Sequence, residues 1–382
     1  MSRSWITSDE TSYGMKAISA DYIVTSEGLI VDGYVTFEDG VITEISSGSS
    51  PHADTHKVNG YLIPGFVDIH CHGGGGHSFG DPSQAKQAAA FHAQHGTTSI
   101  IASLVSASVS SQAHTLREYE NLVHDGVIAG VHLEGPFLSH AKCGAQNPAV
   151  LVDPTSDAVI QLLEAGSSSL TFITIAPELP GALDAIRTFT DAGVVVAIGH
   201  SDATAEQAKA GVDAGATVVT HLFNAMRPVH HRDSGLADHA LVDDRLCAEV
   251  IADGIHLTTQ SLQLAHRAKQ DNLIAITDAI SATGIADGDY VLGELDVTSS
   301  GGVVTLRGTS TLAGSALTMD RAFGYLINQV GLDVLSAVKA TSTTPARALG
   351  LDAVGSITVG KTANFVAWDS ELISVWRNGD KL

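Results

Sequence analysis

The sequence predicts an α/β fold: a (β/α)8 TIM-like barrel with a small β-sandwich domain formed by both chain termini. Three observations point there. Beyond residue 64, eight short runs rich in Val, Ile and Thr alternate with longer Ala-rich stretches. Those runs are continuously apolar, as strands covered on both faces are. Both flanks switch instead to strand-and-turn alternation, the pattern of strands with one wet face.

The N-terminal flank supplies Tyr22-Ile23-Val24, Tyr34-Val35-Thr36-Phe37 and Val41-Ile42-Thr43-Glu44-Ile45, with Glu38-Asp39-Gly40 as a hairpin turn. The eight apolar runs are Gly65–His72, Thr98–Ser103, Val127–Glu134, Leu170–Ala176, Val194–His200, Thr217–Leu222, Ala248–Ala252 and Leu273–Asp278. Helix-compatible segments separate them: Pro82–His95, Ser111–His124, Ser156–Ala165, Ala182–Ala192 and Ala203–Ala214. Eight such units in roughly 250–300 residues fit a closed barrel. A doubly wound open sheet is the alternative, but no Gly-x-Gly-x-x-Gly follows a strand to support a dinucleotide site. Residues 290–308 add a further hairpin after the eighth run, and Gly355-Ser356-Ile357 and Ala363–Trp368 return to the strand pattern. Neither flank has enough apolar surface to fold alone. The expected division is therefore residues 1–62 and 351–382 in one β-domain and 63–350 in the barrel.

Composition narrows the function classes. The chain has 382 residues, 44% of them hydrophobic, enough for one large domain and a small one. With 20 basic and 42 acidic residues, the net charge of -22 argues against nonspecific nucleic-acid binding. No run of about 18 apolar residues predicts a membrane span. Met1 to Ala20 lacks the apolar core of a secretory signal. Cys71, Cys143 and Cys247 show no paired spacing, which suits free thiols in the cytoplasm.

Catalytic groups of such barrels gather at the C-terminal ends of the strands, and here the apolar runs stop at metal-ligand residue types. His70 and His72 end the first run, and alternate positions on a strand share a face. Glu134 ends the third, His200 the fifth, His221 the sixth and Asp278 the eighth. One such residue is easily a cap or a satisfied core histidine; six converging on one mouth are not. Four imidazoles and two carboxylates suit a borderline divalent ion, Zn first, with Fe, Mn or Co also accepted. Three ligands and a water make a catalytic site, and six can hold two ions. A bound ion makes hydroxide available near neutral pH and polarises a carbonyl. Hydrolysis of an amide, ester or amidine, or a deamination, follows.

The motifs Pro64-Gly65-Phe66-Val67-Asp68-Ile69-His70-Cys71-His72-Gly73, His132-Leu133-Glu134-Gly135-Pro136-Phe137, Gly199-His200-Ser201, Thr220-His221-Leu222-Phe223-Asn224-Ala225-Met226, Ala252-Asp253-Gly254-Ile255-His256 and Thr277-Asp278-Ala279 resemble the amidohydrolase superfamily. Within it they resemble the N-acetylglucosamine-6-phosphate deacetylases, from about residue 60 to 380. The resemblance implies a homodimer that removes an N-acetyl group from an amino-sugar phosphate. It implies one or two divalent ions per subunit, the main one on Glu134, His200 and His221, the second completed by His70 and His72. Asp278 matches the catalytic proton carrier, acting as general base and then general acid, and stands among the metal residues. Asn224, Ala225, Arg232 and His256 match substrate-binding positions, with Ala145, Gln146 and Leu312 at further ones. In the family the arginine crosses the dimer interface to grip the phosphate.

One loop departs from that pattern. Where members read Lys-Gly-Ala-His, this chain reads Lys142-Cys143-Gly144-Ala145-Gln146. A Gln amide donates a hydrogen bond but carries no charge, so the loop's part in polarising the acetyl carbonyl is expected to weaken, with a second ion at His70 and His72 taking over some of it. His132 is expected as a barrel-interior histidine, Cys71 as a packed thiol, and Gly73 to Gly76 as a turn beside the ions. Two other readings stand: a different amidohydrolase (acting on another N-acetylhexosamine phosphate, a cyclic amide or an amine), and a non-catalytic binding barrel.

Overall fold

The computed structural model describes residues 15–53 and 55–382. The expectation for Met1 to Ala20 therefore falls mostly outside the described residues. Eight parallel strands form the central sheet in chain order: Phe66–Cys71, Thr97–Leu104, Gly130–Glu134, Leu170–Ile175, Val195–Ile198, Val218–Val219, Cys247–Ile251 and Leu273–Ile276. All are nearly or fully buried, which is why their sequences are apolar without alternation. The first and eighth strands meet at the mouth. There the Asp278 N–H donates to the His70 carbonyl (2.9 Å) and the His72 N–H to the Ala279 carbonyl (2.7 Å). Two predicted ligand positions are thus joined by backbone before any ion is considered.

Helices follow the strands at the expected places. Ser156–Ala165 matches its predicted bounds, and the others start or stop within a few residues. The caps explain those starts: Ser108, Thr155 and Thr204 each accept an N–H of the first turn, and Thr204 with Gln207 makes a capping box. Each such cap contributes about 1 kcal/mol.

The sixth strand is shorter than Thr217–Leu222. It keeps only Val218–Val219, because His221 takes φ 28° and the chain leaves the ladder. His200 (φ 46°) and Asp278 (φ 49°) leave their strands in the same left-handed conformation. For a residue with a Cβ this costs roughly 1–2 kcal/mol. Such strain persists where surrounding structure imposes it, typically at functional sites.

The chain ends form a seven-stranded mixed sheet. Its order is Asp380–Lys381, Glu371–Arg377, Phe365–Asp369, Thr55–Pro64, Lys16–Thr25, Gly28–Glu38 and Val41–Ser47. One core, including Ile18, Val35, Phe37, Leu62, Phe365 and Trp376, unites both termini. Asp39 and Gly40 make the expected hairpin turn, both at positive φ (49° and 75°). The hairpin expected at 290–308 is a three-stranded flap, Gly288–Leu292, Leu295–Ser300 and Val303–Leu306, packed over the mouth near Val105 and Ala145.

Candidate active site

Glu134 stands at the centre of the mouth. Its Oε1 lies 3.0 Å from His200 Nε2, 3.1 Å from His221 Nε2 and 3.5 Å from His70 Nε2. Its Oε2 lies 3.3 Å from His72 Nε2. Two buried three-residue clusters result, Glu134–His200–His221 and His70–His72–Glu134, sharing the one carboxylate. Asp278 Oδ1 completes the second at 3.3 Å from His72 Nε2 and 3.6 Å from His70 Nε2. The six predicted ligands are together.

The donor set fits divalent ions. His200 and His221 face each other Nε2 to Nε2 at 3.0 Å, and His70 and His72 do so at 3.2 Å. His72 gives Nδ1–H to the Ser103 carbonyl and His200 gives its own to the Lys142 carbonyl, both at 3.0 Å. Their Nε2 atoms are thereby left as lone pairs aimed at common points, which a shared cation or proton must reconcile. Proton affinity at the second cluster is correspondingly high. Burial disfavours charge on His72, yet Asp278 and Glu134 push its pKa up to about 9. Burial likewise opposes ionisation of Glu134, but His70 and His200 hold its carboxyl well below the ordinary range. For Asp278 burial is again outweighed, chiefly by His72, and its pKa is lowered.

A cavity of about 230 Å³ opens over the clusters, lined by His72, Glu134, His200, His221 and Asp278 and by the predicted Ala145, Gln146, Asn224, Ala225, His256 and Leu312. His256 is held by Asp253, Nδ1 to Oδ2 at 2.7 Å. Asn224 is committed internally: its backbone N–H and its side-chain amide both donate to the His221 carbonyl, at 2.9 and 3.2 Å. Of the Asn224-Ala225 pair, only Ala225 has a backbone N–H without a backbone partner among the described residues. Gln146 is also engaged. Its Nε2 donates to Glu134 Oε2 at 2.6 Å and its Oε1 accepts from Ser106 N–H at 2.7 Å. It braces the shared carboxylate instead of standing free for an acetyl oxygen.

Arg232 is not brought to this cavity within the one chain; it sits in an exposed loop, its N–H donating to His230 Nδ1 at 3.4 Å. Behind the site, His132 bonds Ser103 Oγ (3.0 Å) and Thr174 Oγ1 (2.9 Å), and burial keeps its pKa well below the ordinary value. It is the expected interior histidine. Cys71 is fully buried and burial raises its thiol pKa well above the usual value, as suits a packed residue. Gly73–Gly74 pairs with His77–Ser78, and Gly75 and Gly76 turn at positive φ (62° and 88°).

Two functional groups escaped the sequence reading. Glu249 sits under His70 with its Oε2 3.1 Å from Nδ1. Its signal was a lone acid inside the apolar run Cys247–Ile251, a residue type rarely buried without a partner. Asp68 accepts from Thr277 Oγ1 (2.6 Å) and from the Thr277 and His70 N–H groups (both 3.3 Å), and burial raises it to about 6. It ties the first strand to the eighth.

Comparison with known proteins agrees with this geometry. The Amidohydrolase family matches residues 61–381. The chain belongs to the amidohydrolase family. N-acetylglucosamine-6-phosphate deacetylase of Bos taurus is 38% identical over 328 residues, 81% of this chain and 80% of that protein. N-acetylgalactosamine-6-phosphate deacetylase of Escherichia coli O157:H7 is 34% identical over 371 residues, 95% of this chain and 98% of that protein. A solved structure of a Mycobacterium smegmatis N-acetyl-D-glucosamine-6-phosphate deacetylase mutant, in complex with N-acetyl-D-glucosamine-6-phosphate, superposes with a TM-score of 0.94 at 37% identity, covering 96% and 99% of the two chains. This amidohydrolase is thus a hydrolase whose relatives deacetylate amino-sugar phosphates. Its buried His and Glu clusters match the divalent-metal chemistry typical of the family. Among the described residues no helix is long and apolar enough to cross a membrane.

Proposed function

We propose that the chain hydrolyses the N-acetyl group of N-acetylglucosamine 6-phosphate, giving glucosamine 6-phosphate and acetate in amino-sugar breakdown. The observation that carries it is Asp278 Oδ1, 3.3 Å from His72 Nε2 at the wall of a cavity whose lining includes Glu134, His200, His221, Asn224, Ala225 and His256 of the deacetylase motifs. Glu134, His200 and His221 would hold one divalent ion, and His70, His72, Glu134 and Asp278 a second. Zn is the natural choice for this donor set. When bound, such ions supply Lewis-acid activation of water and of the amide carbonyl.

The residues do the rest. Asp278 takes a proton from the attacking water and passes it to the leaving nitrogen. His72 beside it keeps its carboxyl ionised and so able to accept in the first step, and its place on the cavity wall suits the second. His256, fixed by Asp253, is oriented to bond a sugar hydroxyl. Ala145 and Leu312 wall the cavity. Arg232 from the second copy of a homodimer would grip the phosphate in a bidentate manner, which accounts for its exposed position in the single chain. Three free cysteines, Cys71, Cys143 and Cys247, suit a cytoplasmic setting.

A second reading is favoured by one observation: the Escherichia coli relative that spans 95% of this chain is named for the galacto epimer. Rates of acetate release from the two 6-phosphates, compared as kcat/KM, test the choice. A higher value for the gluco substrate supports the proposal, and a higher value for the galacto substrate replaces it.

A further inference from the structure

We infer that Glu249 is a positioning residue that commits His70 to a second divalent ion, the one placed on His70, His72 and Glu134; the inference rests on the two-ion reading above. Glu249 lies in the barrel strand Cys247–Ile251 and is fully buried. A carboxylate so placed is strongly disfavoured unless it is well partnered. Its Oε2 accepts from His70 Nδ1 at 3.1 Å and from the His221 backbone N–H at 3.2 Å. Its Oε1 has no partner among the described residues.

The consequence is set by imidazole chemistry. A neutral ring carries one N–H and one lone pair. With the N–H on Nδ1 and given to Glu249, the lone pair of His70 is on Nε2. That atom lies 3.2 Å from His72 Nε2 and 3.5 Å from Glu134 Oε1, in the centre of the second cluster. His72 and His200 have only backbone carbonyls behind them, and His221 Nδ1 has no partner among the described residues. Among the described residues, His70 is therefore the one histidine of the four backed by an anion. A carboxylate behind an imidazole both fixes the ring and makes it a stronger donor.

Glu249 also touches the other cluster, but differently. It holds His221 through the main chain, not through a ligating ring atom. Loss of its charge should therefore reach the His70–His72 site first.

Zn2+ alone, titrated calorimetrically into metal-stripped wild type and Glu249→Gln, tests this, with thermal melting of the stripped chains as the folding control. Wild type should take two ions. Glu249→Gln should keep the first step within about threefold and weaken the second by roughly 10–100-fold. Two unchanged steps in the variant overturn the role of Glu249. A wild type that takes fewer than two ions overturns the two-ion reading itself, and this inference with it. If the variant does not fold, nitrogen NMR of zinc-loaded wild type decides. An Nδ1–H on His70, assigned by its loss in His70→Asn and slow to exchange, supports the inference. A proton on Nε2 instead overturns it.

Discussion

Gln146 donates to Glu134: the amide Nε2 lies 2.6 Å from the carboxylate Oε2, on the side of Glu134 that faces His72. The residue that departs from the family pattern therefore acts on the shared ligand itself. Gln146→Ala should lower kcat and metal affinity together, by roughly 10–100-fold, as loss of a group bonded to a ligand does. Steady-state kinetics with metal analysis on the same sample checks this. A change confined to KM would return Gln146 to simple substrate contact.

The two clusters predict unequal variants. His70→Asn removes a ligand from one cluster, whereas Glu134→Gln weakens both. Metal content should fall by about one ion in the first case and to near zero in the second, since each lost ligand removes an essential donor. Activity should persist at a reduced level in His70→Asn and vanish in Glu134→Gln. Full activity of His70→Asn with one ion bound would sink the idea that the second ion takes over carbonyl polarisation.

The Asp253–His256 pair predicts a pH window for stability. Burial disfavours charge on His256, but Asp253 at 2.7 Å raises its pKa above the ordinary 6.5. Burial likewise works against charge on Asp253, yet His256 lowers its pKa below the ordinary 3.8. The histidine's contribution is full below 6.5 and is lost as pH rises through the raised value. The aspartate's is full above 3.8 and is lost as pH falls through the lowered value. The stability difference between wild type and Asp253→Asn should thus be greatest between the two ordinary values and narrow on either side. Urea unfolding at a series of pH values measures it; a difference independent of pH contradicts the pairing.

Arg232 offers a test of subunit exchange. Arg232→Ala and Asp278→Asn should each be nearly inactive alone. Mixed and allowed to exchange in a symmetric dimer, they should regain activity at roughly a quarter of the sites, where one subunit supplies Asp278 and the other Arg232. No recovery on mixing, with exchange verified by mass, would place Arg232 outside the partner's site.

Much of this site was legible because buried parallel strands are uniformly apolar. Against that background His70, His72, Glu134, His200, His221 and Asp278 stand out at strand ends, and the barrel brings those ends to one mouth. What was hidden depends on contacts that no local pattern encodes. Gln146 reaches Glu134 only because the loop between them folds back over the mouth. Glu249 sits mid-strand, so its place under His70 depends on the register of strands far apart in sequence. The two-residue sixth strand follows from the left-handed turn at His221, which period and propensity do not reveal. Arg232 lies outside the cavity of the single chain, a placement that no local pattern encodes.

The most direct test of the account is acetate release from N-acetylglucosamine 6-phosphate by metal-stripped chain as Zn2+ is added back. The account predicts negligible release without metal, release that rises with ions bound up to two per chain, and one free amine formed for each acetate. Equal release by stripped and loaded chain, or none at any metal load, would contradict it.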